Sequence, residues 1–242
     1  MNPTAVITGA TKGIGRAIAN RFAQDGFDLI VCARNKKDLD AMKAGVESHQ
    51  AVSCKTLACD LADKRQQDLF IDFVKQSTNY IDVLVNNAGI FYPGSVYNER
   101  DGALEELMQV NLVSCYRLVQ GLFPLVKKSK KPHIFNIVST AALGAYRNGG
   151  SYSITKYALL GYTRNLREEM KEHGVRVTAV LPGPTQSESW NSTPLPPERF
   201  MPAEDIAAMM FCSYSLAQQT VVEDIVMRPL LGDVKEEEFA KK

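Results

Sequence analysis

Residues 8–15 read TGATKGIG. The stretch closes an apolar run, Thr4–Thr8, and opens a helical pattern, Ile14–Gln24, in which Ile18 and Phe22 stand at i and i+4. Gly9, Gly13 and Gly15 allow a tight backbone turn, and they let a phosphate approach bare N–H groups at a helix N-terminus. The spacing is G-x-x-x-G-x-G rather than the commoner G-x-G-x-x-G. A glycine-rich loop can be no more than a tight turn. Between a strand and a helix that open a βαβ unit, it points to a dinucleotide. The expected contacts are Gly9, Thr11, Lys12, Gly13, Ile14 and Gly15.

Strand-like and helix-like stretches continue to alternate. Apolar runs at Phe27–Ala33, Ile81–Val85, His133–Val138 and Val175–Leu181 read as buried parallel strands, with Val52–Ala58 weaker and Asp224–Met227 short. Helical spacing is found at Asp38–Glu47, Gln66–Ser77, Leu104 to about Lys128, Ser151–Glu172 and Pro202–Ala217. The last has proline in its first turn, then Glu204 and Asp205, which suit a helix N-terminus. Such alternation implies right-handed βαβ units and a sheet covered on both faces. With no repeat or linker, residues 1–242 are expected to form one domain. The polar, proline-rich stretch Gln186–Met201 is expected to be a substrate loop of the lid type.

Composition narrows the function. The net charge is +1, from 28 basic and 27 acidic residues with no basic arm, so neither nucleic acid nor an anionic membrane is indicated. Five cysteines, an odd number without C-x-x-C, suggest a reducing compartment, the cytoplasm, and no disulfide framework. His49, His133 and His173 match no metal-ligand spacing, so no metal site is expected. There is neither a signal-peptide pattern nor an apolar run long enough to span a membrane.

The end of the second strand selects between nicotinamide cofactors. An acid there would hold a ribose 2′-hydroxyl; this strand ends Cys32-Ala33-Arg34. Arg34 and Lys12 suit a 2′-phosphate instead, Arg34 as a two-donor fork, although both could be ordinary solvated cations. Asp60, followed by Leu61, could accept from an adenine amino group or cap the next helix. Asn86-Asn87-Ala88-Gly89 ends the fourth strand with small and amide side chains, which suit close packing over a cofactor. Asn111, a poor helix former, sits between apolar Val110 and Leu112. Pro182-Gly183-Pro184-Thr185 breaks the chain sharply after the sixth strand.

Residues 139–156, STAALGAYRNGGSYSITK, carry the chemistry. Ser139 offers a hydroxyl to a carbonyl oxygen, Tyr152 a proton, and Lys156 a cation on the same helix face. An ammonium about 4 Å away, at an effective dielectric of ~20, favours phenolate by ~4 kcal/mol, nearly ~3 pK units. With 9 tyrosines in the chain and lysine at roughly 7% of residues, one such pair arises by chance about half the time, so its surroundings must carry the argument.

Together, TGATKGIG, NNAG, Asn111, Ser139, YSITK and Pro182-Gly183 resemble, in order and spacing, the single-domain short-chain dehydrogenases/reductases. The resemblance runs from about Thr4 to Ser187. It implies a Rossmann-like three-layer α/β sandwich with a seven-stranded, mainly parallel sheet. It also implies a catalytic tetrad of Asn111, Ser139, Tyr152 and Lys156. Lys156 would also hold the nicotinamide ribose, and Asn111 would position a proton-relaying water. Asn87, Ala88, Gly89, Pro182, Gly183 and Thr185 (or Ser187) would line an NADP(H) site with Asp60 and Leu61. The tail VEDIVMRPLLGDVKEEEFAKK departs from the family's Asp-Gly-Gly ending and resembles relatives labelled 3-oxoacyl-carrier-protein reductase or 3-hydroxy-acid dehydrogenase.

The expected function is therefore NADP(H)-dependent interconversion of a carbonyl and a secondary alcohol. A non-catalytic dinucleotide sensor or scaffold is the alternative. An extended-branch epimerase would need a larger substrate region than follows Leu181. Ala141, Leu143, Tyr146, Phe91, Tyr92 and Trp190 are candidate pocket residues, with Arg147 the one candidate cation. They favour an uncharged carbonyl compound, then a 3-oxoacyl thioester. Apolar Leu118, Leu122, Leu159, Leu160 and Leu166 exceed what one sheet face would cover, so a homodimer or homotetramer is expected.

Overall fold

The computed structural model describes residues 2–145, 147–186, 193, 195–234 and 238. Seven strands form one wholly parallel sheet in the order β3-β2-β1-β4-β5-β6-β7. They are β1 (Thr4–Thr8), β2 (Asp28–Ala33), β3 (Cys54–Ala58), β4 (Val83–Asn86), β5 (His133–Ile137), β6 (Arg176–Pro182) and β7 (Asp224–Met227). The helices are α1 (Gly13–Gln24), α2 (Lys36–His49), α3 (Lys64–Ser77), α4 (Ala103–Met108), α5 (Ser114–Val126), α6 (Gly150–Met170) and α7 (Ala203–Ser215). This is the sheet of βαβ units that the apolar runs predict, in the Rossmann-like arrangement that the family resemblance implies.

The pleat of the strands divides the core. Ala5 and Ile7 of β1 face the layer that holds Ile18 and Phe22 of α1, Leu39 and Met42 of α2, and Ile206 and Met210 of α7. Val6, pointing the other way, joins Phe70 of α3, Leu118 and Leu122 of α5, and Leu166 of α6. Sheet order reverses between β1 and β4, and in open α/β sheets ligands bind at the carboxyl ends beside such a reversal.

Several expectations change in detail. Asn35, whose Oδ1 accepts from Lys37 N and Asp38 N, caps α2 and starts it earlier than the apolar spacing suggests. The cap of α3 is Asp63, through Arg65 N, so Asp60 does not cap it. The single helix expected from Leu104 to about Lys128 is interrupted by a π-helical turn, Gln109–Val113, joining α4 to α5. Leu118, Leu122, Leu159, Leu160 and Leu166 are all buried within one chain, so they are not surplus surface. Leu159 and Leu160 are covered by Val138, Ala179 and Leu181. No helix among the described residues is long and apolar enough to cross a membrane. No cluster of three or more His, Cys, Asp or Glu among them could hold a metal.

Candidate functional site

The glycine loop is built against β4. Gly9 and Gly13 occupy the left-handed region, with φ of 64° and 50°. A Cβ on Gly15 would lie 2.3 Å from Gly9 O and 2.4 Å from Asn87 Nδ2, so only glycine lets the first turn of α1 sit this close. Asn87 Nδ2 donates to Thr8 O at 2.9 Å and Gly9 O at 3.0 Å. Thr8 Oγ1 accepts from Asn87 N and Ala88 N, both at 3.0 Å. Thr8, which sequence reasoning took only as a strand end, thus ties the loop to the Asn86–Gly89 turn. α1 has neither a side-chain cap nor an acid in its first turn. Its N–H groups therefore face outward from a cradle that suits the phosphates of a dinucleotide.

The adenosine side is arranged at the ends of β2 and β3. Arg34 is exposed beyond half-buried Ala33, at the N-terminus of α2. Lys12 reaches toward the same helix end, its Nζ 3.8 Å from Asp38 Oδ2. Asp60 forms its own turn, with Oδ1 accepting from Ala62 N. Leu61 is buried, and its carbonyl accepts from Gln67 Nε2.

Around residues 139–156 the geometry tightens. Ser139 follows β5, and its Oγ accepts from Ala141 N at 3.1 Å, capping a short 3₁₀ turn, Thr140–Ala142. Because the oxygen is the acceptor there, the hydroxyl proton can be donated to a ligand. Tyr152 lies in the first turn of α6, and Phe91 meets its ring edge-on at 4.9 Å between centres. Lys156 is buried, and its Nζ donates to Ile137 O at 2.9 Å. That carbonyl holds the ammonium 5.6 Å from the centre of the Tyr152 ring. A unit negative charge at the ring centre would be attracted by about 3 kcal/mol at an effective dielectric of ~20, roughly 2 pK units.

Burial brings the Lys156 pKa down to about 8. No carboxylate among the described residues is bonded to it. Cys115 lies nearby, but burial pushes its thiol far up, so it stays neutral. Among the described residues the ammonium thus has no fixed anion, which leaves it open to a phenolate or a ligand hydroxyl.

Asn111 is buried rather than on the surface, in the π-helical turn, a geometry frequent at functional sites. Its Oδ1 accepts from Ile90 N at 2.8 Å. Its Nδ2 donates to Ile90 O and Thr155 Oγ1, both at 3.0 Å. Gly89 fits beneath it; a Cβ there would lie 3.2 Å from Asn111 Oδ1 and 3.7 Å from Lys156 Nζ. Asn111, Gly89 and Lys156 are thus brought together. Thr155 was missed, because nothing local marks a helical threonine as the partner of an asparagine 44 positions away.

At the far edge, Gly183 N donates to Met227 O at 2.8 Å, and a Cβ on Gly183 would lie 3.0 Å from Asp233 Oδ1. Thr185 is buried, its hydroxyl donating back to Gly183 O at 2.9 Å. The 186–201 segment leaves and returns at one neck, where Gln186 N donates to Met201 O at 2.8 Å and Met201 N to Pro184 O at 3.0 Å. Ser187, Trp190 and Tyr146 lie outside the described residues. Phe91, Tyr92 and Leu143 are exposed; Ala141 is buried, and Arg147 is exposed.

Comparison with known proteins adds four findings. The family described as short chain dehydrogenase matches residues 3–196. The chain is 31% identical over 245 residues to a sepiapterin reductase of Chlorobaculum tepidum, covering 98% of this chain and 100% of that one. It is 31% identical over 194 residues to a diacetyl reductase [(S)-acetoin forming] of Staphylococcus epidermidis, covering 79% and 74%. Among solved structures, an alcohol dehydrogenase from the archaeon Thermococcus sibiricus, complexed with 5-hydroxy-NADP, superposes with a TM-score of 0.89 at 26% identity, covering 96% of this chain and 99% of that chain.

Proposed function

The chain belongs to the short-chain dehydrogenase family, and from that premise we propose that it interconverts a carbonyl and a secondary alcohol using NADP(H), with Tyr152 exchanging the proton. The observation that carries this reading is the buried Lys156 ammonium, with no carboxylate bonded to it among the described residues, over the Tyr152 ring. When bound, the nicotinamide supplies or accepts the hydride. Ser139 holds the substrate oxygen through its hydroxyl proton. Tyr152 donates to that oxygen in reduction and accepts from the alcohol in oxidation. Lys156 favours the phenolate left on Tyr152, so charge develops between preorganised donors. Asn111 fixes the Ile90 backbone and Thr155 around this point, and a water on its remaining acceptor would relay protons from Lys156.

The substrate class we propose is an uncharged carbonyl compound, since Phe91, which meets the Tyr152 ring, and Tyr92 and Leu143 are exposed and largely apolar. Diacetyl and sepiapterin are the first two to assay, followed by a 3-oxoacyl thioester. Loss of NADPH absorbance with any of these supports the reading. NADPH binding without turnover across the panel would instead mark a sensor or scaffold. The five free cysteines fit a reducing cytoplasm.

The cradle has its own test. A methyl at Gly15 must displace Gly9 or Asn87, and overpacking of this kind costs about 1–3 kcal/mol. Gly15→Ala should lower stability by that amount in urea and weaken NADPH binding about tenfold or more, since the same loop carries both. Unchanged affinity would separate the loop from the cofactor.

We also propose a homodimer or homotetramer. The apolar surface that supports it is exposed Tyr116 on α5 and Ile154 and Tyr157 on α6, not the buried leucines. Light scattering at micromolar concentration should give a multiple of 26.8 kDa; the mass of one chain would refute the proposal.

A further inference from the structure

We propose that Glu99 is a positioning residue for Tyr152, holding the first turn of α6 in place from the segment between β4 and α4. This rests on the reading of Tyr152 as the proton donor. The residue before α6, Gly149, has no side chain to cap it, so the first-turn N–H groups need partners from elsewhere. Glu99 provides one: its Oε1 accepts from Ser151 N at 2.8 Å, and its Oε2 accepts from the Ser151 hydroxyl. A carboxylate at a helix N-terminus is also favoured by the helix dipole.

The space for this carboxylate is built into the sequence. A Cβ on Gly150, which sits at φ 40°, would lie 1.8 Å from Glu99 Oε1, and one on Gly94 would lie 2.7 Å from Glu99 Cγ. The two segments are tied twice more, by Gly94 N to Asn148 O at 3.2 Å and by Ser95 Oγ to Asn148 Oδ1 at 3.2 Å. Asn148 itself is held in the left-handed region, at φ 56°.

A usual cap is the residue that precedes the helix. Here the capping group lies 52 positions upstream of Ser151. It arrives only when residues 91–99 pack down, and the same segment begins with Phe91 against the Tyr152 ring. Packing of the substrate wall and placement of the phenol are thereby one event. Without Glu99 the turn carrying Tyr152 loses its anchor one residue before the phenol.

The test compares Glu99→Ala, Glu99→Gln and Ser151→Ala with wild type in NADPH-dependent turnover, NADPH binding and amide hydrogen exchange. In Glu99→Ala, kcat should fall about tenfold or more, because small misplacements of a reacting group cost up to about 100-fold. KM should change less, and NADPH affinity should be unchanged. Exchange should quicken together at 151–153 and 94–99. Glu99→Gln keeps an acceptor for Ser151 N and should recover most of kcat. An unchanged kcat in Glu99→Ala, or a rise in KM alone, overturns the proposal. If Glu99→Ala does not fold, Ser151→Ala decides: it removes the hydroxyl contact, so kcat should fall, and an undiminished kcat counts against Glu99. If the wild type itself does not turn over, the functional reading fails, while coupled exchange in the two segments still judges the link.

Discussion

Tyr152→Phe should remove turnover while leaving NADPH binding nearly intact. The change deletes one oxygen from a ring that keeps its edge-on contact with Phe91, so packing around it survives. What is lost is the group proposed to exchange a proton with the substrate oxygen. Positioned proton transfer contributes about 100-fold or more, and kcat should fall by at least that factor. The loss should appear equally in kcat and kcat/KM, because the missing interaction is made in the transition state. Steady-state kinetics with a reactive carbonyl, alongside a fluorescence titration of NADPH, measures both halves. A variant keeping more than about a tenth of wild-type kcat would place the acid/base elsewhere. Lys156 would be reread with it, since its buried charge would then have no phenolate to favour.

The sheet was legible because buried parallel strands are short apolar runs, and the glycine loop because its chemistry is local. Ends of elements were displaced where a polar side chain decided them, as Asn35 and Asp63 do for α2 and α3. The π-helical turn was not legible. It coincides with Asn111, whose partners Ile90 and Thr155 lie 21 and 44 positions away, and periodicity carries no such information. The leucines of α5 and α6 were misjudged for a related reason. Counting apolar residues on a helix does not reveal that β5, β6 and their flanks cover Leu159 and Leu160. At the candidate site, motifs named residues to look for, but not the partners that hold them. Helical spacing put Lys156 on the face of Tyr152 but carried no sign that its ammonium donates to the Ile137 carbonyl. Glu99 carried no local signal at all, since its role depends on two loops meeting.

NADPH should be preferred to NADH by at least about tenfold in kcat/KM, and Arg34 should carry most of the difference. A 2′-phosphate brings close to two extra negative charges to the end of β2. There the chain presents Ala33, which cannot accept from a 2′-hydroxyl, and then exposed Arg34. A planar guanidinium can meet the phosphate with two donors. Charge-assisted bonds of this kind contribute about 1.5–3 kcal/mol each. Solvent screens an exposed side chain, yet a single such bond at the lower end still gives about tenfold discrimination. Lys12 approaches the same helix end, but Asp38 lies 3.8 Å from its Nζ and offsets part of its charge. Arg34→Ala should therefore reduce the preference more than Lys12→Ala. Ala33→Asp combined with Arg34→Ala should move it toward NADH, because the new carboxylate would accept from the 2′-hydroxyl and repel the phosphate. Measuring kcat/KM for both cofactors in the wild type and these three variants decides the matter. A wild-type ratio near one, or favouring NADH, would mean that Arg34 and Lys12 only face solvent.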